Sequence, residues 1–490
     1  MASAELSRSV RMGYGVGSFC AGTFSTVPGL LLLYYLTNVL AVPAVLAGFV
    51  VFLPKLWDLV INPYVGRLSD RTASRRPWLL AGAATLPAAF VLTFAGPSVR
   101  GDVAALYVGG CFFLAATAYA LFEVPYKAMP AEMTDDYHEQ SGLLTWRMAF
   151  LGMAILLSGG LAPALVNHQG DTATIGGYRL MGLVIGGVLL VSMVATYFGT
   201  AKAPRIARAE ADRVPLRAQL AAARGNRTFL NLLGFSCAQM LAVGMMLAGA
   251  PYFATYVLDS TGAVTTLFLA LVGPIIITMP VWVRLSRRMD KRGAMVLASV
   301  LFLIGAVGLS LAPFLGAGYA YLVVVVIGVG YAGIQLLQFS MLADTLTADA
   351  LRSRARRAGV FTGLWTAAET VTFAFGALLL GWMLGLAGFV SSDADEVVPQ
   401  SDSAINTVVI GGTVVPAVLM AVAVCLILRY DLTAQRLAAL HATAASAEMG
   451  TGTGTDTEPG TGPGTDAGTG TDAGTGSDTE TGATPAHGGA

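Results

Sequence analysis

A handful of polar side chains stand inside otherwise apolar stretches of this chain, and their types and spacing suit the handling of ions. In Lys55-Leu56-Trp57-Asp58-Leu59-Val60-Ile61-Asn62-Pro63 a base, an acid and an amide lie three and four residues apart, which on a helix puts them on one face. Pro63 has no amide proton and leaves the carbonyl of Leu59 without its helical donor. A carboxylate, an amide oxygen and a freed carbonyl suit a small cation; the same carboxylate beside Lys55 could carry a proton instead, or the two could be a packing ion pair. In Phe122-Glu123-Val124-Pro125-Tyr126-Lys127, Glu123 sits about one turn from the end of its stretch, and Pro125 frees the carbonyl of Leu121. That carboxylate either joins the first or reaches out to water. Arg147, a turn or so inside the next stretch, could neutralise Asp58 or Glu123 when no cation is bound, or extend to the interface. Glu369 is deeper and has no base near it in sequence, so it is either partnered across a cavity or kept neutral by a proton. Tyr119, Trp146, Trp365 and Trp382 could stack on a sugar ring, although aromatic residues near span ends also serve as interfacial anchors.

Other chemistries find no residues. There is no GxxxxGK[ST] loop for nucleotide-driven transport, no Ser/His/Asp set, and no CxxC or Cys/His cluster for a metal or a disulfide framework. Cys20, Cys111, Cys237 and Cys425 all fall in apolar runs, and His138, His168, His441 and His487 lie in loops, at a span end or in the tail. An enzyme is not expected, nor any cofactor beyond a coupling ion.

An ion in hydrocarbon costs about 3 kcal/mol or more, so these residues need a scaffold that tolerates them. The chain is 55% hydrophobic and 12% charged, against about 25% charge in soluble domains. Its apolar residues fall into twelve runs, at about 14–40, 45–66, 78–97, 103–127, 142–168, 177–199, 228–258, 263–285, 294–313, 318–345, 360–390 and 405–430, each near or above the roughly 20 residues a spanning helix needs. Polar residues through Ser18 precede a long first run, which reads as a retained helix rather than a cleaved leader. Arg and Lys gather in alternate loops: Arg8 and Arg11; Arg67, Arg71, Arg75 and Arg76; the stretch 200–227; Arg284, Arg287, Arg288, Lys291 and Arg292; and Arg352 to Arg357. The opposite loops hold little more than Arg100 and Arg179. This asymmetry predicts a multi-pass protein of the cell membrane with both termini in the cytoplasm. Basic patches that flank spans are not a nucleic-acid surface.

The long loop at 200–227 divides the spans into an N-terminal six-helix bundle (1–199) and a C-terminal one (228–432). Similar basic turns follow the second span of each, SDRTASRRP and RRMDKRG, and paired repeats are how many secondary transporters are built. The remainder, 433–490, is expected to be a cytoplasmic tail whose Gly, Thr and Asp repeats cannot offset the entropy of ordering.

Taken in order, YGVGSF (14–19), YYLTNVL (34–40), KLWDLVINPYVGRLSDRT (55–72), RRPW (75–78), FEVPYKAM (122–129), LLTWR (143–147), MLADT (341–345) and RRAGVFTGLWTAAE (356–369) resemble the glycoside–pentoside–hexuronide:cation symporters, the melibiose-permease-like branch of the major facilitator superfamily. The resemblance runs over about residues 10–430. It implies an all-α major facilitator fold of 12 transmembrane helices in two six-helix bundles about a central cavity. It also implies a cation site, for Na⁺ or H⁺, between the second and fourth helices. Asp58 matches the first carboxylate of the second helix, Asn62 stands where melibiose permease has a second Asp, and Glu123 matches the fourth-helix acid. Arg147 matches an inner-gate arginine and Lys55 a basic position before the Trp-Asp pair. Three positions depart: Gly22 replaces the first-helix Asp that binds galactoside, Thr370 replaces an eleventh-helix Lys, and Lys127 replaces the aromatic residue that stacks on the sugar. These changes argue against a galactoside of the melibiose type. An amide at Asn62 removes a charged Na⁺ ligand and favours H⁺.

The resulting expectation is symport of a sugar, glycoside or related polar metabolite, coupled to H⁺ or Na⁺, by alternating access. Asp58, Asn62 and Glu123 would hold the cation, and Lys55 and Arg147 would balance charge at the gate. Gly22, Tyr119, Lys127, Trp146, Trp365, Glu369 and Thr370 are candidates for the substrate cavity. An exporter driven by proton antiport is the alternative, and a non-transporting membrane sensor a more distant one. The expected partners are the substrate, the cation and the bilayer, with the chain acting as a monomer.

Overall fold

A computed structural model describes residues 6–451, apart from 73, 135, 169, 171–172, 205–222, 354–357 and 394–397. It contains twelve helices long and apolar enough to cross a membrane. They are α1 Arg8–Asn38, α2 Ala44–Asp70, α3 Arg76–Phe94, α4 Gly101–Ala128, α5 Tyr137–Val166 and α6 Ile175–Gly199, then α7 Arg227–Tyr256, α8 Ala263–Met289, α9 Lys291–Leu309, α10 Ala312–Ser353, α11 Ala358–Leu386 and α12 Asp402–Ile427. Every expected span is present, most of them somewhat longer than its apolar run, because the polar flanks continue the helix. The chain ends these helices with local devices. The side chains of Asp136, Thr174 and Asn226 accept from the amides of Glu139, Gly177 and Phe229 and cap α5, α6 and α7. Between α8 and α9 a single residue, Asp290 at φ 69°, turns the chain. Pro63 and Pro125 sit inside α2 and α4, which run on through them.

The packing repeats. In the first six helices α1 lies on α5, α2 and α3 both lie on α4, and α3 lies on α6; in the second six, α7 lies on α11, α8 and α9 on α10, and α9 on α12. Between the sets α1 meets α7, α2 meets α11 and α5 meets α8, so the two six-helix bundles inferred from the loops are related element by element. Small residues permit the close approaches. A Cβ on Gly244 of α7 would stand 2.1 Å from the carbonyl oxygen of Phe373 on α11.

The polar contacts between the bundles concentrate at the end where α1 finishes and α8 begins, here the Asn38 end. Tyr34 and Thr255 share a hydrogen bond of 3.0 Å, Thr37 and Tyr252 one of 2.6 Å, and the Asn38 amide donates to the Tyr256 hydroxyl at 2.5 Å. Backbone joins in: the Ser392 amide donates to the Thr37 carbonyl at 2.9 Å and the Ala41 amide to the Ser392 carbonyl at 3.1 Å, with Ala41 in the left-handed region at φ 54°. Arg100 pairs with Asp393, and Asn167 donates to the Thr261 carbonyl at 3.0 Å. At the opposite, Arg8 end, no hydrogen bond or ion pair between described residues joins the bundles. The structure is closed at one end.

One expectation changes. The tail from 433 begins as an ordered helix, α13 Ala434–Thr451; its sequence AQRLAALHATAASAEM is rich in Ala and Leu, the best helix formers. The Gly/Thr/Asp repeats beyond it lie outside the described residues, as do 205–222 of the central loop.

Candidate functional site

The charges of the N-terminal bundle converge from α2, α4 and α5. On α2 the Lys55 ammonium stands 3.8 Å from Asp58 Oδ2, an i,i+3 pair whose side chains are 16% and 7% exposed. The ammonium also lies 4.4 Å from the ring centre of Phe24 on α1 and 5.7 Å from those of Phe112 and Tyr119 on α4. Three aromatic faces therefore hold the cation that the carboxylate balances. Phe24 and Tyr119 are stacked at 4.6 Å, which fixes one wall of this box.

On α4 the Glu123 carboxylate is buried, and its Oε1 is shared by two cations: Lys127 one turn on, at 3.1 Å, and Arg147 of α5, at 3.4 Å. Burial excludes the alternative in which Glu123 reaches out to water. Arg147 also lies 5.7 Å over the ring of Tyr126, whose hydroxyl bonds Ser18 and donates to the carbonyl of Tyr14 on α1. Tyr119 lies within electrostatic reach of Asp58, Glu123 and Arg147, so the two carboxylates face one region. Each carboxylate keeps one buried oxygen without a hydrogen-bond partner, Oδ1 of Asp58 and Oε2 of Glu123. Chemically this is a pair of half-engaged acids whose present counter-ions are tethered bases. A mobile cation that displaced a base would find an oxygen ready at each acid.

Other candidates lie apart from this cluster. Asn62, one turn beyond Asp58, is exposed together with Pro63 and Tyr64, while Ile61 and Val65 of the same helix stay buried against α4, and no hydrogen bond ties Asn62 to either acid. Gly22 is a packing glycine: a Cβ there would meet the Cβ of Ala154 at 2.7 Å and the Leu151 carbonyl oxygen at 3.1 Å, so the acid of the melibiose-type pattern has no room. Trp146 and Trp382 are 41% and 45% exposed, while Trp365 is buried. Thr370 returns its hydroxyl to the Thr366 carbonyl of its own helix at 2.9 Å.

Glu369 lies in the other bundle among neutral groups. Its Oε1 accepts from Ser236 of α7 at 2.8 Å and from the Gln338 amide of α10 at 3.5 Å. Gln338 in turn donates to Gln335 at 2.6 Å, and Gln335 to the Tyr331 hydroxyl at 2.5 Å. Gln239 and Gln338, buried, and Gln335, half-buried, are span amides, a signal in sequence of the same kind as intramembrane charges. The aromatic box has no such signal, since it depends on where α1 and α4 cross α2.

The family model for MFS/sugar transport proteins matches residues 13–434. The chain belongs to this family. It is a membrane transporter of the major facilitator type rather than an enzyme. Relatives extend over the whole helical region. The chain is 25% identical to the symporter sll1374 of Synechocystis sp., over 88% of this chain and 96% of that one. It is 24% identical to the glucuronide carrier protein homolog of Escherichia coli, over 88% of this transporter and 93% of the carrier. The crystal structure of a D-xylose-proton symporter superposes with a TM-score of 0.64 at 13% identity, covering 86% of this transporter and 98% of that chain, a likeness of fold. The family match and the two sequence relatives agree with the glycoside–pentoside–hexuronide branch inferred from the motifs.

Proposed function

We propose that this transporter moves a sugar, glycoside or related polar metabolite together with a cation, and that the acids of α2 and α4 take the cation. The observation that carries this reading is the arrangement at Asp58 and Glu123: two buried intramembrane carboxylates, each half-engaged by a tethered base and each with a buried oxygen free. The relative named a symporter supports coupling, and the sugar-transport family and the relative named a glucuronide carrier homolog support the substrate class. With the basic loops in the cytoplasm, the Asn38 end faces outward and the conformation is inward-open.

In this reading Lys55, Lys127 and Arg147 stand in for the cation during the unloaded part of the cycle. From the outside, the cation displaces them and favours the substrate-competent form. Coupling is then a difference in affinity between two states, with the bases as competitors. A proton suits the site better than Na⁺, because Asn62 supplies a neutral amide where a second acid would give a metal ion a charged ligand, and a proton needs only one carboxyl. Proteoliposomes with Na⁺ and H⁺ gradients imposed separately, and a panel of labelled pentoses, hexoses, glycosides and hexuronides, test the reading. Uphill accumulation should follow the H⁺ gradient and vanish in Asp58→Asn, while downhill exchange persists. Full accumulation by Asp58→Asn would refute the assignment of the site.

A further inference from the structure

The two bundles are unequal in charge. The N-terminal one brings three bases, Lys55, Lys127 and Arg147, to two acids, Asp58 and Glu123. The C-terminal one has Glu369 inside a span, and among the described residues no lysine, arginine or histidine forms an ion pair with it. The groups that do meet it are neutral. Ser236 and Gln338 both donate to Oε1. Gln239, fully buried, lies one turn beyond Ser236 on the same face of α7, and neither atom of its amide has a hydrogen-bond partner; Oε1 of Gln338 also lacks one. The titratable groups within electrostatic reach are Cys237 of α7 and Tyr331 of α10. No charged residue of α1, α2, α7, α10 or α12 pairs with Glu369 among the described residues.

Glu369 is half-buried, and a carboxylate held among apolar helices with no counter-ion is costly. It either takes a cation or is protonated. The neighbours favour the proton. An amide N–H directed at the carboxyl suits hydrogen bonding and opposes a metal ion, whose ligands must all present lone pairs. A neutral acid fits the neighbours: its Oε1 acts as a carbonyl acceptor for Ser236 and Gln338, and its hydroxyl can both donate to the unpartnered oxygens of Gln239 and Gln338 and accept from the unpartnered Gln239 amide and Trp365 indole N–H groups.

We propose that Glu369 is a proton-binding site of the C-terminal bundle, and that it holds its proton on Oε2 in the inward-open conformation. The use of that proton in transport rests on the symport reading above; its occupancy does not. If the reading holds, both bundles and not only the first respond to a proton gradient.

The test needs no substrate. Infrared difference spectra of the full chain in nanodiscs, recorded across a pH step, report the carbonyl stretch of protonated carboxyls. Wild type should show such a band at neutral pH, Glu369→Gln should lose it, and Asp58→Asn should keep it. No band in wild type, or an unchanged band in Glu369→Gln, overturns the proposal. So does loss of the wild-type band when Na⁺ is added at fixed pH, which would make this a metal site. If Glu369→Gln does not fold, Ser236→Ala decides: removing the hydroxyl that bonds Oε1 should move the band to higher frequency, and an unmoved band overturns the assignment. Failure of the symport reading looks different, since accumulation would then survive in Asp58→Asn while the Glu369 band is untouched.

Discussion

Lys55→Met replaces a tethered ammonium by an apolar side chain of similar length. At the observed 3.8 Å from Asp58 Oδ2, and with an effective dielectric constant of about 20, the lost attraction is about 4 kcal/mol. This agrees with the roughly 3–5 kcal/mol lost when one partner of a buried ion pair is removed. The variant should therefore be less stable than wild type in Na⁺-free buffer. It should also gain what wild type lacks, a vacancy for a mobile cation beside Asp58. Each 1.4 kcal/mol is about tenfold in affinity, so recovering most of the 4 kcal/mol corresponds to Na⁺ binding on the order of 100- to 1,000-fold tighter than in wild type. Thermal unfolding of purified protein, titrated with NaCl against choline chloride at mildly alkaline pH, where protons compete least, measures both effects. The variant's midpoint should fall and then climb with Na⁺, while the wild-type midpoint stays flat. The double variant Lys55→Met/Asp58→Asn should lose the response. A single variant as stable as wild type and indifferent to Na⁺ would refute the idea that Lys55 occupies a cation's place.

Three further outcomes follow from the packing and the closed end. Tyr252→Phe deletes the 2.6 Å bond to Thr37, worth about 1 kcal/mol, and should move the inward–outward equilibrium roughly fivefold; spin-label distances across the Asn38 end should show a larger open population, and an unchanged distribution counts against this contact as a latch. Arg100→Gln removes a more exposed partner of Asp393 and should have the smaller effect in the same measurement, since exposed pairs contribute at most about 1 kcal/mol. Gly244→Ala forces a methyl group to within 2.1 Å of the Phe373 carbonyl oxygen; overpacking of this kind costs about 1–3 kcal/mol, so its melting midpoint should drop, and a wild-type midpoint would show that α7 and α11 part freely.

The sequence exposed the architecture well because length and apolarity dictate it. The twelve spans, the one-sided bases and the repeat all came from patterns that a bilayer imposes, and the element-by-element contacts follow them. The Lys55–Asp58 pair was equally legible from its i,i+3 spacing; Glu123–Lys127 has i,i+4 spacing as well but was not expected. Contacts between helices were less so. The sequence offered Arg147 to Asp58 or to Glu123 without deciding between them, and the ring of Phe24 over Lys55 depends on how α1 crosses α2. Asn62 shows the limit of face arithmetic: the spacing put it with Asp58, yet Asp58 is buried while Asn62 is exposed and makes no hydrogen bond to either acid. At Gly22 the missing acid was legible as a departure, but the cause lies in how closely Ala154 packs.

The seam at the Asn38 end has a consequence for anyone who wants to control the molecule from outside. It offers a binder the exposed Arg100 with its partner Asp393 and the half-buried Ala41 and Ser391, contributed jointly by segments far apart in the chain. That composite surface exists only while the seam is shut. An antibody fragment that recognised both sides at once would be a conformational staple, one that arrests turnover without competing for substrate or cation. One that recognised either side alone, and was too bulky to let the other return, would act as a wedge of the opposite sign.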